Sequence, residues 1–89
     1  MPIEISDHFS LRYEQRIAKT KRMAVYANRA FHYGKTVDEI HYKPLAKELS
    51  SKEKKHGSIA KVYANCVYWF NGTTAVTVYP LPQKMHGVI

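Results

Sequence analysis

The strongest constraint on the fold lies in the last third of the chain, where apolar and polar residues alternate with a period of two. The stretch IAKVYANCVYWFNGTTAVTVYPLP, residues 59–82, is rich in the β-branched and aromatic residues that strands favour. Asn71-Gly72 is a strong signal for a two-residue hairpin loop, and Ala64-Asn65 is a weaker one. We therefore predict an antiparallel meander over about residues 58–80, with the segment PIEIS near the N-terminus as candidate fourth strand.

Two-residue loops also fix which side chains share a face of this sheet, because they pair Tyr63 with Cys66 and Phe70 with Thr73. We expect the helices to cover the face that carries Ala60, Val62, Val67, Trp69, Thr74, Val76 and Val78. The other face is expected to be open and carries Lys61, Tyr63, Cys66, Tyr68, Phe70, Ala75, Thr77 and Tyr79. Aromatic, hydroxyl-bearing faces with basic residues are typical of sheets that stack bases and bind phosphates.

The residues before the meander, about 6–57, have helical periodicity. Ser6 or Asp7 is a suitable N-cap for a helix that runs to about Ile17. The later boundary signals are Thr20 and Gly34 around a second helix, the capping-box pair Thr36 and Glu39 in a short turn, and Pro44 and Gly57 around a third.

These signals together predict an α+β fold. Two to three N-terminal helices pack on one face of a C-terminal, three- to four-stranded antiparallel β-sheet. With 89 residues, the chain is the size of a single domain, spanning residues 1–89, and we expect a loosely ordered tail at residues 83–89.

Charge and composition narrow the class of protein. Fourteen Lys and Arg against seven Asp and Glu give a formal net charge of +7, which favours RNA or another polyanion as partner. The single cysteine, Cys66, excludes an internal disulfide and suits the reducing cytoplasm. No apolar run has the length of a membrane span, and the start MPIEISDHF lacks the features of a signal peptide. We therefore expect a cytoplasmic protein without membrane association.

Three groups of residues are candidates for binding. His8, Arg12 and Arg16 follow one another at four-residue steps, so they share one side of the first helix and form either a phosphate-binding stripe or a solvated basic face. The open sheet face either binds nucleic acid or is covered by the third helix or by a second copy of the chain in a homodimer. The third group is the basic run KEKKH, residues 52–56, which is either a solvated surface, the more common case for such a run, or a nucleic-acid contact.

The sequence predicts neither a metal site nor a bound cofactor. The five histidines show no HxH or HExxH spacing, and no glycine-rich phosphate loop is present. Nucleophilic catalysis by Cys66 requires a placed base, and a cysteine in the middle of a strand more often serves packing.

The chain resembles a family of short uncharacterised proteins from bacteria, phages and mobile elements. The resemblance lies in the order of three parts, which are ISDHFSLRYEQRI, a helical middle and KVYANCVYWFNGTTAVTVYPLP. These proteins open with a His-x-x-x-Arg helix and close with VYxF and TVxxLP strands. The family is similar in layout to the RelE-like ribonuclease toxins, within the wider barnase, EndoU, colicin and RelE group.

The resemblance implies an RNA-binding protein of the toxin–antitoxin type that cleaves RNA without a metal. The implied catalytic residues are His8 for proton transfer, Arg12 for phosphate charge, and the hydroxyls of Thr77 and Tyr79. The implied nucleic-acid contacts are Arg16, Lys61, Tyr63 and Tyr68. The competing function is that of a non-catalytic phage or mobile-element protein whose basic surface inhibits a host nucleoprotein. In the first case the protein partner is an antitoxin, and in the second it is a host protein.

Overall fold

The computed structural model of the chain describes residues 3–17 and 22–82, and it confirms the α+β class. Three helices, α1 (Asp7–Arg16), α2 (Met23–Tyr33) and α3 (Lys43–His56), precede most of the sheet. The strands are β1 (Glu4–Ile5), β2 (Ile59–Tyr63), β3 (Cys66–Asn71) and β4 (Thr74–Pro80). A short 3₁₀ turn, Val37–Glu39, lies between α2 and α3. The predicted cap at Thr20 and the predicted tail at 83–89 lie outside the described residues.

Local signals in the sequence explain where the helices begin and end. The Ser6 hydroxyl accepts a hydrogen bond from the Phe9 N–H at 3.0 Å and so caps α1. The Glu39 carboxylate accepts from the backbone N–H of Thr36 at 3.1 Å, as the capping-box spacing predicts. Gly57 ends α3 in the left-handed conformation, with φ of 67°.

The strand order in the sheet is β1-β4-β3-β2. The three C-terminal strands form the predicted antiparallel meander, whereas β1 pairs with β4 in parallel. The sheet is therefore mixed, and not purely antiparallel as predicted. The first hairpin has the predicted register, because Tyr63 pairs with Cys66 and the loop residues Ala64 and Asn65 have φ of 50° and 61°.

The second hairpin differs from the prediction in two ways. Asn71 pairs with Thr74, so the loop consists of Gly72 and Thr73, and Phe70 pairs with Ala75 and not with Thr73. A β-bulge then interrupts the ladder, since Trp69 pairs with Thr77. The extra residue in β4 is Val76, and it reverses the alternation of all side chains that follow it.

This reversal moves the C-terminal half of β4 to the opposite faces from those predicted. Val78 pairs with Tyr68 and joins its side of the sheet, whereas Thr77 and Tyr79 pair with Trp69 and Val67 and lie on the Trp69 side. The predicted face that combined Tyr68 with Thr77 and Tyr79 therefore does not exist.

The helices cover both faces of the sheet, which corrects the prediction that they pack on one. On one face, α1 and α2 pack against a cluster of buried residues, namely Phe9, Tyr13, Ala27, Ala30, Cys66, Tyr68, Phe70, Ala75 and Val78. On the other face, α3 packs against a second cluster, namely Ile40, Leu45, Leu49, Ala60, Val62, Val67, Trp69 and Leu81. Because α1 and α2 take the face that was expected to be open, its aromatic side chains form a core.

Candidate functional site

A cleft of about 390 Å³ opens on the Trp69 face of the sheet, between the first turn of α1, the last turns of α3 and strand β4. Its floor is the side chains of Trp69 and Val76, and polar groups surround this apolar base. The residues that line the cleft are His8, Lys52, His56, Ser58, Trp69, Val76, Thr77 and Tyr79. A concave apolar surface with a few convergent polar groups is the usual form of a ligand site.

The bulge in β4 brings two hydroxyls into this cleft. With regular alternation after Ala75, the side chains of Thr77 and Tyr79 would project toward α1 and α2. The extra residue Val76 turns both of them to the Trp69 face, where both are half-buried. β-bulges commonly re-aim side chains next to functional sites in this way.

The position of His8 depends on the cap of α1. Besides capping the helix, the Ser6 hydroxyl donates a hydrogen bond to the carbonyl of Val76 at 3.3 Å, and the Ser6 N–H donates to the carbonyl of Ala75 at 3.1 Å. Two hydrogen bonds thus fix the first turn of α1 to the bulge. His8 is exposed at this turn, and it reaches the cleft although Phe9 packs on the opposite face of the sheet.

Helix α3 supplies Lys52 and His56 from the other side of the cleft. Leu49, which is 1% exposed, holds the helix on the sheet, and Lys52 and His56 follow it by about one and two turns. The carboxylate of Glu53 accepts a hydrogen bond from the backbone N–H of Ala60 at 2.9 Å. This contact ties the last turn of α3 to β2 and so fixes the side of the cleft that carries His56.

Among the residues that line the cleft, Lys52 is a charged group whose position is fixed by two contacts. Its Nζ lies 5.6 Å from the centroid of the Tyr79 ring and 3.4 Å from Oε1 of Glu48. The cation–π contact and the i,i+4 ion pair orient the ammonium group between the cleft and the outer surface of α3. The cleft therefore combines two imidazoles, an ammonium group and three hydroxyls on an apolar floor.

Three of the four predicted catalytic residues, His8, Thr77 and Tyr79, come together in the cleft. The fourth, Arg12, does not line it, and its Nη1 donates to Oε1 of Gln15 on the same helix at 3.1 Å. The four-residue spacing of His8 and Arg12 therefore does not show that both lie in one site, because only the first turn of α1 reaches the cleft.

The four predicted nucleic-acid contacts lie elsewhere. Arg16 donates from Nη1 to the carbonyl of Val78 at 3.3 Å, and Lys61 donates to the carbonyl of Phe31 with its Nζ 4.7 Å from the centroid of the Phe31 ring. Tyr63 is half-buried and packs against the core under α1 and α2. These three side chains are held by contacts within the fold.

Tyr68 is the clearest correction, because it is 2% exposed and cannot stack a base in this conformation. Its ring lies 6.1 Å from that of Phe9 and 6.5 Å from that of Phe70, measured between centroids. Burial raises the pKa of the Tyr68 hydroxyl, and burial also raises the pKa values of Tyr13 and Cys66 in the same core. These groups are neutral packing elements near pH 7.

Sequence reasoning missed Lys52, His56, Ser58 and Trp69 as site residues. The run KEKKH as a whole favours solvated surface over a nucleic-acid contact, and this interpretation ignores the spacing of its first and last members. Lys52 and His56 are four residues apart, so they share a helical side, and they follow the anchor Leu49 closely. That spacing is the signal by which both were detectable.

The described part of the chain contains no group of three or more His, Cys, Asp or Glu side chains that is arranged to hold a metal ion. None of the helices in residues 3–17 and 22–82 combines the length and the apolar character needed to cross a bilayer. Comparisons with family models, with curated proteins and with solved structures find no match to this chain. The geometry and chemistry of the cleft are therefore the basis for assigning a function.

Proposed function

We propose that the cleft binds RNA and cleaves it as a metal-independent, RelE-like endoribonuclease. The observation that carries the proposal is the convergence of His8 from α1 and His56 from α3 on one cleft, with the ammonium group of Lys52 between the cleft and solvent. Histidine is the side chain that most readily exchanges protons near neutral pH. Two imidazoles and a cation can supply the base, the acid and the charge stabilisation that cleavage of RNA through its own 2′-hydroxyl requires.

In the proposed reaction the RNA supplies its own nucleophile. One imidazole accepts the proton of the 2′-hydroxyl as the 2′-oxygen attacks the adjacent phosphorus. The other imidazole, which starts protonated, donates a proton to the 5′-oxygen as its bond to phosphorus breaks. The products are a 2′,3′-cyclic phosphate and a free 5′-hydroxyl, and no metal enters the reaction.

The remaining cleft residues act on the charge that develops at phosphorus. Lys52 stabilises the negative phosphorane, and the hydroxyls of Thr77 and Tyr79 donate hydrogen bonds to its oxygens. Trp69 and Val76 provide the apolar floor that keeps bulk water from part of the site. The net charge of +7 supports a polyanionic substrate, and the proposal places the protein's action on RNA in the cytoplasm.

The test uses a labelled single-stranded RNA in buffer with EDTA. The wild type should produce fragments that end in a 2′,3′-cyclic phosphate, and His8→Ala and His56→Ala should each lower the rate by about 10²- to 10⁴-fold. His41→Ala is the matched control, because His41 is exposed and does not line the cleft. A DNA strand of the same sequence should stay intact because it lacks the 2′-hydroxyl.

Two outcomes contradict the catalytic proposal. The first is intact RNA at a large excess of protein, and the second is an equal loss of rate in His41→Ala and His8→Ala. Binding of RNA without cleavage, with an affinity that falls steeply as salt rises, supports the alternative of a non-catalytic protein that acts through its basic surface.

A further inference from the structure

The outer surface of α3 carries a second, open groove next to the cleft. It is lined by Pro44, Lys47, Glu48, Ser51, Lys52 and Lys55, and has a volume of about 590 Å³. Three of these six residues are lysines and one is an acid, so the groove is positively charged. Lys47 and Lys55 are exposed, and they lie eight residues apart, which is about 12 Å along the helix axis.

Lys52 belongs to both the groove and the cleft. Its aliphatic stem therefore lies at the boundary between the two, and its ammonium group faces Tyr79 on one side and Glu48 on the other. A strand of RNA whose scissile phosphate occupies the cleft would pass Lys52, with Lys55 and Lys47 on either side of that point along α3. The groove thus continues the cleft along the surface of α3.

We propose that this groove binds the sugar–phosphate backbone of the nucleotides that flank the cleavage position, which makes the substrate an extended single strand of RNA. The inference rests on the proposed function and adds the substrate class. The groove presents ammonium groups that bind phosphates as point charges, and it offers no aromatic side chain for base stacking. Binding in the groove is therefore independent of base sequence, and any sequence preference arises in the cleft.

Glu48 sets the strength of this contact. Its carboxylate lies 3.4 Å from the Lys52 ammonium group and repels a phosphate at the same place. Substituting Glu48→Gln keeps the shape of the side chain and removes the negative charge. The affinity for nucleic acid should therefore rise in this variant, whereas loss of a purely structural ion pair would not increase binding.

The binding test uses a fluorescent single-stranded oligodeoxynucleotide, which the protein cannot cleave. Each lysine–phosphate contact contributes about 0.7 to the slope of log affinity against log salt, so Lys47→Gln with Lys55→Gln should reduce the slope by about 1.4. This corresponds to about 25-fold weaker binding at 0.1 M salt, converging with the wild type near 1 M. Arg29→Gln removes one charge from α2, on the other side of the sheet, and serves as the control by leaving the slope nearly unchanged.

The cleavage test compares a dinucleotide with a 12-nucleotide RNA. The double lysine variant should raise KM for the longer RNA and leave kcat/KM for the dinucleotide unchanged, because the dinucleotide occupies the cleft alone. If RNA is cleaved but the variant changes neither the slope nor this KM, the groove proposal is wrong and the cleft assignment stands. If no RNA is cleaved but the slope falls as expected, the endoribonuclease proposal is wrong and the groove remains a nucleic-acid site.

A competition experiment addresses an acidic protein as occupant of the groove. Poly-L-glutamate of similar length should displace the oligonucleotide only at much higher concentrations, because its carboxylates lack the phosphate spacing of the strand. Equal competition by poly-L-glutamate would overturn the assignment of RNA backbone as the ligand.

Discussion

The buried hydroxyl of Tyr68 predicts a specific sensitivity to alkaline pH. In the folded protein the side chain is 2% exposed, and burial raises the pKa of its hydroxyl above the ordinary value of 10.0. In the unfolded chain the same hydroxyl ionises near pH 10. Above that pH the unfolded state binds fewer protons than the folded state, so the free energy of unfolding must fall as pH rises.

The size of the effect follows from the linkage between proton binding and stability. Below pH 10 the hydroxyl is protonated in both states, and the full stability is present. Above pH 10, each pH unit removes up to about 1.4 kcal/mol for one such group, which amounts to about 2 kcal/mol at pH 11.5. Tyr68→Phe removes this group together with its side-chain hydrogen bond to Tyr13, and it leaves the Tyr13 and Cys66 side chains in place.

The assay is urea denaturation followed by far-UV circular dichroism at several pH values between 9 and 11.5. The difference in free energy of unfolding between the wild type and Tyr68→Phe should shift by about 2 kcal/mol in favour of the variant over this range. Tyr33→Phe is the matched control, because Tyr33 is 77% exposed and lies outside the buried cluster around Tyr68. If the difference in free energy of unfolding between the wild type and Tyr68→Phe does not change with pH, the burial of this hydroxyl is refuted. If the variant binds an oligonucleotide more weakly, the placement of Tyr68 away from the site is refuted.

Three further predictions concern the turns and the cleft. Ala64→Gly should raise the free energy of unfolding by about 1 kcal/mol in urea titrations, because Ala64 has φ of 50°, where an alanine is strained and a glycine is not; unchanged or lower stability would contradict this. Gly34→Ala should lower the melting temperature, since a Cβ there would lie 2.5 Å from the carbonyl oxygen of Ala30 and 2.9 Å from Cβ of Lys61; an unchanged melting temperature would show that the helix end yields. The fluorescence of Trp69, the single tryptophan, should change when an oligonucleotide binds in the cleft, and a salt-insensitive or absent change would place the binding elsewhere.

The sequence was sufficient for those parts of the fold that local chemistry determines. The capping hydroxyl of Ser6, the pair Thr36 and Glu39, and the left-handed Gly57 each act over a few residues, so their effect is visible in the sequence. The pairing of Tyr63 with Cys66 was predicted for the same reason, because the two-residue loop determines it. Helix and strand types therefore agree with the prediction across the described residues.

The assignment of faces was wrong because it depends on contacts between distant parts of the chain. The bulge at Val76 has no glycine, proline or other local signal, and a strict period of two was extended through it. The aromatic residues Tyr68 and Phe70 were interpreted as an open binding face, although their large apolar area is equally suited to a core. Which helices cover which face decides between these interpretations, and periodicity alone does not contain that information.

Membership of the candidate site could be predicted from the sequence only for residues whose position is fixed by local signals such as a helix cap. His8 lies two residues after the helix cap, so its place on α1 was determined locally, and its contact with the cleft follows from the attachment of that cap to the bulge. The spacing of Lys52 and His56 indicates that they share a side of α3, but their place in the cleft also depends on where α3 docks on the sheet. For Arg12 and Arg16 the predicted position on one side of α1 is correct. Their predicted contacts with RNA in a shared site are not, because both side chains donate hydrogen bonds within the fold away from the cleft.

The bulge in β4 also makes the cleft separable from the fold in a genetic sense. Deleting the single codon for Val76 would remove the bulge, but Thr77 would stay opposite Trp69 and Tyr79 opposite Val67, so both hydroxyls would remain on the Trp69 side. The deletion would instead remove the Val76 side chain from the cleft and the carbonyl that accepts a hydrogen bond from the Ser6 hydroxyl. A one-residue change in length would then weaken the attachment of the first turn of α1, which carries His8, and leave the three-stranded meander in place. A chain of this architecture can therefore gain or lose the attachment of its cleft histidine through a single in-frame insertion or deletion, a type of mutation that substitution scanning does not sample.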